Sequence, residues 1–288
     1  MANKIEKFKK YLPYLDEVYM LNAKAAVLES DATLIKQGSS ANEIVIPKMK
    51  MAGLGNYSRS KGYPKGGVEL TTQTVTFNYD RGRQFIVDEM DNEEVAGLFF
   101  SRLVANFVRT KIVPEQDAFR FATYSKLAGT KVSSILATGE DILTALQTAT
   151  STMDDTEVPR ENRHLFITSK LLTAAQNVDT TKSRDILEVF TSIIIVPSSR
   201  FYTAIDLFDG ETGGEEDGGF KKATTGKDIN FLIIEKPAVM QFTKHKISKV
   251  IPPEDNHDAD AWIFNFREYG LTDVYENKTA GVYLHHKA

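Results

Sequence analysis

Residues 43–79 constrain this chain most, because they spell a two-stranded ribbon without a core of its own. Over Glu43–Met51, Ile44, Ile46 and Lys48 point one way, and Val45, Pro47, Met49 and Met51 the other. Pro47 cannot donate a ladder hydrogen bond, which confines the strand to a sheet edge or a two-stranded ribbon. A flexible tip follows, from Ala52-Gly53-Leu54-Gly55 through Gly62, Pro64, Gly66 and Gly67. The return strand is expected over Val68–Tyr79, with Val75, Phe77 and Tyr79 on one face and Thr72, Thr74, Thr76 and Asn78 on the other. Such a ribbon is marginal in water by itself. Its narrow apolar face needs a surface, either its own domain or a second copy of the chain.

Downstream lies a charged junction, Tyr79-Asp80-Arg81-Gly82-Arg83, and then Asp88-Glu89-Met90-Asp91-Asn92-Glu93-Glu94. Asp91 is a candidate helix cap, with Glu93 and Glu94 favourable to the dipole in the first turn. Val95, Leu98, Phe99, Leu103 and Phe107 form an apolar stripe at helical spacing. Pro114 is expected to kink or restart the helix, which then runs to Gly129 and spans on the order of 50 Å if nearly continuous. Such a length suits a strut. Arg81 and Arg83, with Asp88, Asp91, Glu93 and Glu94, are candidates for charge-assisted bonds that hold the ribbon base or reach a neighbouring chain.

Residues 1–35 suggest a helix or extended arm, with Ile5, Phe8 and Leu12 at helical spacing before Pro13. From Thr138 to Lys246 helix and strand alternate. Thr138 and Asp141 read as a capping pair, with Ile142, Leu143, Leu146 and Met153 on the inward face. His164–Ile167 reads as a short buried strand, and a helix is expected over Ser169–Asn177. Both Ser192–Pro197 and Asn230–Ile234 read as strands buried on two faces. The segment Asp209–Gly219 between them reads as an exposed acidic loop. Beyond Ile247 the chain is rich in strand signals, which are expected to pack beside the long helix.

The 288 residues carry a formal net charge of −4, so no global basic field draws the chain onto nucleic acid. Cysteine is absent, which excludes disulfides, thiolate metal sites and cysteine nucleophiles. The positive opening residues lack the apolar run of a secretory signal, and no window has the roughly 20 apolar residues of a membrane span.

Catalytic patterns fail in turn. Gly226-Lys227-Asp228 lacks the Ser or Thr that a phosphate loop needs, and no serine elbow is present. The five histidines do not show metal-ligand spacing. Asp154, Asp155 and Glu157, like Glu254, Asp255, Asp258 and Asp260, lack the glycine and closing glutamate of a calcium loop and read as solvated turns. No catalytic, cofactor-binding or metal site is expected.

The junction and the block order resemble the major capsid proteins of tailed bacteriophages, the Hong Kong 97-type fold. The resemblance implies an α+β chain. Residues 1–35 look like the N-terminal arm, 36–90 like the extended loop and its base, and 91–137 with 247–288 like a peripheral domain built on a long spine helix. Residues 138–246 look like the axial domain. The same likeness implies a non-enzymatic shell protein, forming pentamers and hexamers around double-stranded DNA bound without sequence specificity. A portal and a separate scaffolding protein are the implied partners, with assembly in the bacterial host cytoplasm and a final place in the virion capsid. No membrane partner is implied. Tyr57, Lys61, Tyr63 and Lys65 at the loop tip join the junction residues as inter-subunit candidates. Some relatives cross-link loop lysines to asparagines of adjacent subunits; Lys48, Lys50, Lys61 and Lys65 are present, but no acceptor and catalytic acid match, so the cross-link is not carried over to this chain. An encapsulin-type shell enclosing protein cargo and a cytoplasmic α/β enzyme are the alternatives.

Overall fold

The computed structural model describes residues 23–30, 43–90, 104–178 and 180–288. The chain divides into two compact units, Asp31–Asn78 and the remainder, Met1–Ser30 with Tyr79–Ala288.

The smaller unit holds an antiparallel ribbon of β1 (Glu43–Met51) and β2 (Val68–Thr76). Its register sets Met49 opposite Leu70 and Met51 opposite Val68, and all four are exposed. Ile44 and Val75 face each other and are buried. The return strand is shorter than its alternation predicts. It ends at Thr76, and Tyr79 opens a separate strand in a different sheet, so Val75 and Tyr79 do not share a ribbon face. At the tip, Ser58 and Gly62 exchange two backbone hydrogen bonds.

In the larger unit, β3 (Tyr79–Asp88) is an outer strand of a three-stranded antiparallel sheet, beside β11 (Ala261–Val274), which pairs in turn with β10 (Val239–Ile251). The sheet covers the first half of a helix. Phe264 and Phe266 of β11 and Phe85 of β3 pack with Val104, Phe107, Val108 and Ile112. That helix is continuous over residues 104–127, about 36 Å at 1.5 Å per residue. Pro114 does not break it. The turn just before the proline, Val108–Ile112, widens to π geometry, with the Val113 amide donating to the Val108 carbonyl. The α-helix proper, α1 (Val113–Leu127), then carries Pro114 in its first turn, directly after the widened turn, where proline contributes no N–H to the ladder.

The second half of the helix lies on a five-stranded sheet ordered β4 (Thr130–Ser133), β12 (Val282–His286), β9 (Ile229–Glu235), β5 (Arg163–Ile167), β6 (Ser192–Ile195). Strand alternation divides its apolar residues between two layers. Phe166, Leu232, Ile234, Val282 and Leu284 pack with Phe121 and Tyr124 of α1. Leu165, Ile167, Phe231, Ile233 and Tyr283 pack with α2 (Gly139–Asp155), α3 (Ser169–Gln176) and α4 (Thr180–Leu187). The Thr138–Asp141 capping box starts α2. Of the closing strands, β11 packs beside the helix, whereas β12 enters the interior of the five-stranded sheet.

Two further expectations are corrected. The Ile193–Ile195 run is not buried on both faces: β6 is an edge strand, and Ile195 is 46% exposed. Asp154 is not a solvated turn residue either. Its carboxylate accepts from Arg160 and from Arg163, whose fully buried side chain it anchors.

Candidate functional site

The alternation of β3 puts Tyr79, Arg81, Arg83 and Phe85 on one face, and all four line a cavity of ≈ 360 Å³. Phe107, Phe266 and Ile112 supply apolar lining, and the helix adds Lys111 and Glu115. Asp209, Gly210 and Asp217 to Gly219 line it from the acidic loop.

Arg81 Nε donates to Glu115 Oε1 at 2.7 Å, and Tyr79 Oη donates to the same oxygen at 3.4 Å. Burial, reinforced by the Glu115 charge, raises the Tyr79 pKa well above that of a free phenol. The strand is thereby fastened to the turn that contains Pro114. Arg83 Nη2 donates to the Glu216 carbonyl at 2.8 Å and so fastens the acidic loop. Gly210 sits at φ +79°, and a side chain there would lie 2.8 Å from Arg83 Nη1. Gly82 is needed for a different reason: a Cβ would meet the Phe266 carbonyl oxygen at 2.9 Å, because β11 passes that close.

The acidic loop is exposed yet organised. The Asp209 carboxylate accepts from the Glu211 and Thr212 amides, both at 2.8 Å, and from the Thr212 hydroxyl. Those bonds, led by the hydroxyl, hold its pKa down to about 2.

Asp88 closes the junction. Its Oδ1 accepts from the Met90 amide at 2.9 Å, the bond of a helix cap, and Glu89 and Met90 are helical. Asp91, Glu93 and Glu94 lie outside the described residues. In the smaller unit, Tyr57 and Tyr63 are exposed and pack ring to ring with centroids 4.9 Å apart. Lys61 and Lys65 are exposed at the same tip. The structure therefore brings Arg81 and Arg83 together around one cavity and groups the four tip residues in the other unit.

Two carboxylates that organise the helix were missed. Glu115 receives Arg81. Asp117, fully buried, accepts from the Lys24 and Ala25 amides at 2.9 and 3.0 Å and from Arg200 Nη1 at 3.0 Å. Burial raises its pKa, opposed by those bonds. The available signal was spacing: Val113, Asp117, Phe121 and Tyr124 share one helical face, so Asp117 stands in an apolar stripe.

Among the described residues no His, Asp or Glu cluster could hold a metal ion, and no helix is long and apolar enough to cross a membrane. No protein-family model matches the sequence, and no curated protein matches it. Solved structures do. A structure from Mycobacterium phage Che8 is 13% identical, with a TM-score of 0.61 over 86% of this chain and 85% of that one. The capsid structure of cyanophage P-SCSP1u is 13% identical, with a TM-score of 0.58 over 88% of this chain and 85% of the other. A virus-like particle from Pyrococcus furiosus is 10% identical, with a TM-score of 0.59 over 97% of this chain and 99% of its own. The chain thus has the α+β fold found in phage capsids, with a long helix spanning two sheets and a ribbon that forms a second unit.

Proposed function

We propose that this chain is the major capsid protein of a tailed bacteriophage or prophage, a structural subunit that assembles into an icosahedral head around double-stranded DNA. The observation that carries the reading is the fold likeness, which extends over most of both chains for phage structures such as Che8 and P-SCSP1u. The ribbon supports it: Met49, Met51, Val68 and Leu70 make an exposed apolar face of the kind that a neighbouring subunit covers.

In this reading the ribbon is the extended loop of a Hong Kong 97-type fold, lying across the next subunit. Residues 1–35 are the arm, residues 91–137 and 247–288 the peripheral domain, and residues 138–246 the axial domain, with β12 a shared element of the axial sheet. The proposed partners are further copies in pentamers and hexamers, a scaffolding protein, a portal and the packaged DNA. Assembly takes place in the host cytoplasm, and the virion capsid is the final location.

The test is electron microscopy and sedimentation of the chain co-expressed with its neighbouring genes. Closed shells that protect duplex DNA from nuclease are expected. Shells filled with a protein cargo would select the encapsulin-type reading instead. A chain that stays monomeric at high concentration, even with its scaffold, overturns both.

A further inference from the structure

A second cleft, of ≈ 610 Å³, lies between the later half of α1, the start of β4, residues 203–207 and the end of β12. Lys126, Lys131 and Lys227 line it, all exposed, and no Asp or Glu is among its described lining residues. Lys131 Nζ donates to the Lys126 carbonyl at 2.6 Å, which leaves its charge uncompensated. The Lys126 and Lys227 ammonium groups have no partner among the described residues. Neighbouring Lys222 and Lys287 differ, since both are paired with Asp228. Ser125, also in the lining, is 2% exposed, and its hydroxyl has no hydrogen-bond partner among the described residues. Three uncompensated cations in one concavity, on a chain of net charge −4, call for an anionic occupant.

The same chain carries a matching group. Between β7 (Ile205–Leu207) and β8 (Phe220–Lys222) the acidic loop presents Glu211, Glu215, Glu216 and Asp217 without a lysine or arginine among them. The Glu211 and Asp217 carboxylates have no partner among the described residues. Those of Glu215 and Glu216 accept only from amides of their own loop. Arg83 fastens this loop at the junction cavity, and no loop residue lines the lysine cleft. The two features therefore do not meet within one chain.

We infer that the acidic loop of one copy docks on the Lys126–Lys131–Lys227 cleft of the next. Unlike surfaces meet, so the contact is head to tail and propagates into a ring when the rotation closes. It rests on the shell-forming reading only in requiring that copies meet.

The absence of native cysteine makes the contact directly testable. Full-length chains carrying only Glu216→Cys are mixed with chains carrying only Lys227→Cys under mild oxidation. The Glu216 substitution keeps the backbone carbonyl that binds Arg83. A mixed disulfide dimer is expected, with neither variant cross-linking comparably alone. Independently, Lys131→Glu/Lys227→Glu and Glu211→Lys/Glu216→Lys should each lower association at least about tenfold, and combining them in one chain should restore it. Raising salt from about 0.1 M to about 1 M should weaken the wild-type contact as the Debye length falls from about 10 to about 3 Å.

Absence of the mixed dimer overturns the inference, and so does a combined variant as defective as each parent. Loss of duplex-DNA retention by the lysine variant with association unchanged also overturns it and assigns the cleft to nucleic acid. Shells without the cross-link sink the docking but leave the capsid reading standing. A cross-link without shells does the reverse.

Discussion

His285 shows how one buried ring links the core to pH. It stacks on Phe231 with centroids 4.8 Å apart, and its Nδ1 accepts from Asn230 Nδ2 at 3.0 Å. Protonating Nδ1 would set two donors against each other. Burial, with a smaller contribution from His286, lowers the His285 pKa to about 4 from an ordinary 6.5. The unfolded chain therefore binds this proton first. The contribution to stability is complete above pH 6.5 and is lost as pH falls towards about 4, up to about 3 kcal/mol in total. Burial lowers His164 as well, so the wild-type profile contains both groups. His285→Phe keeps the stacking and should flatten the profile of urea midpoints between pH 6.5 and 4. An unaltered slope would exclude His285 as its source. At the junction, Arg81→Ala removes the ion-pair partner of Glu115, whose side chain is only 12% exposed, and leaves it the 3.4 Å bond from the Tyr79 hydroxyl. The expected loss is about 1–3 kcal/mol in denaturant unfolding, and an unchanged midpoint would mean that this ion pair does not hold the strand to the helix.

At the scale of elements, what was legible in the sequence was local. The Thr138–Asp141 box needs four consecutive residues, and the ribbon alternation needs nine, so both could be read directly. Glu115 and Asp117 could not be paired, because their partners stand 34 and up to 93 positions away. The run Ile193–Ile195 misled for a related reason: three isoleucines record apolarity, but edge or centre is decided by strand order. Proline at 114 is expected to kink or restart the helix, whereas the chain stays helical through it and widens the turn just upstream. The ribbon offers a test at this scale. Met49→Asp with Leu70→Lys should change unfolding free energy by less than about 0.5 kcal/mol, since both side chains are exposed and the new charges, directly opposite, are of opposite sign. The assembled fraction, measured by sedimentation, should fall at least about tenfold. Normal assembly would mean that this face is not covered by a subunit.

For the whole molecule, the two-unit division has its own testable consequence. Replacing Ile44–Val75 with a short Gly-Ser linker should leave the larger unit folding cooperatively, with Tm within about 4 °C of the parent. The same chain should not form shells. Loss of cooperative unfolding would show that the ribbon is part of the folding unit after all. Strand order carries one more consequence. Strand β12 divides β4 from β9, so the five-stranded layer stays split until residues 282–286 arrive. A nascent polypeptide that has not yet reached β12 has α1 and β4 available but cannot close that seam. Closure of this sheet therefore waits for β12, the last of its five strands in chain order, long after β4 has been made.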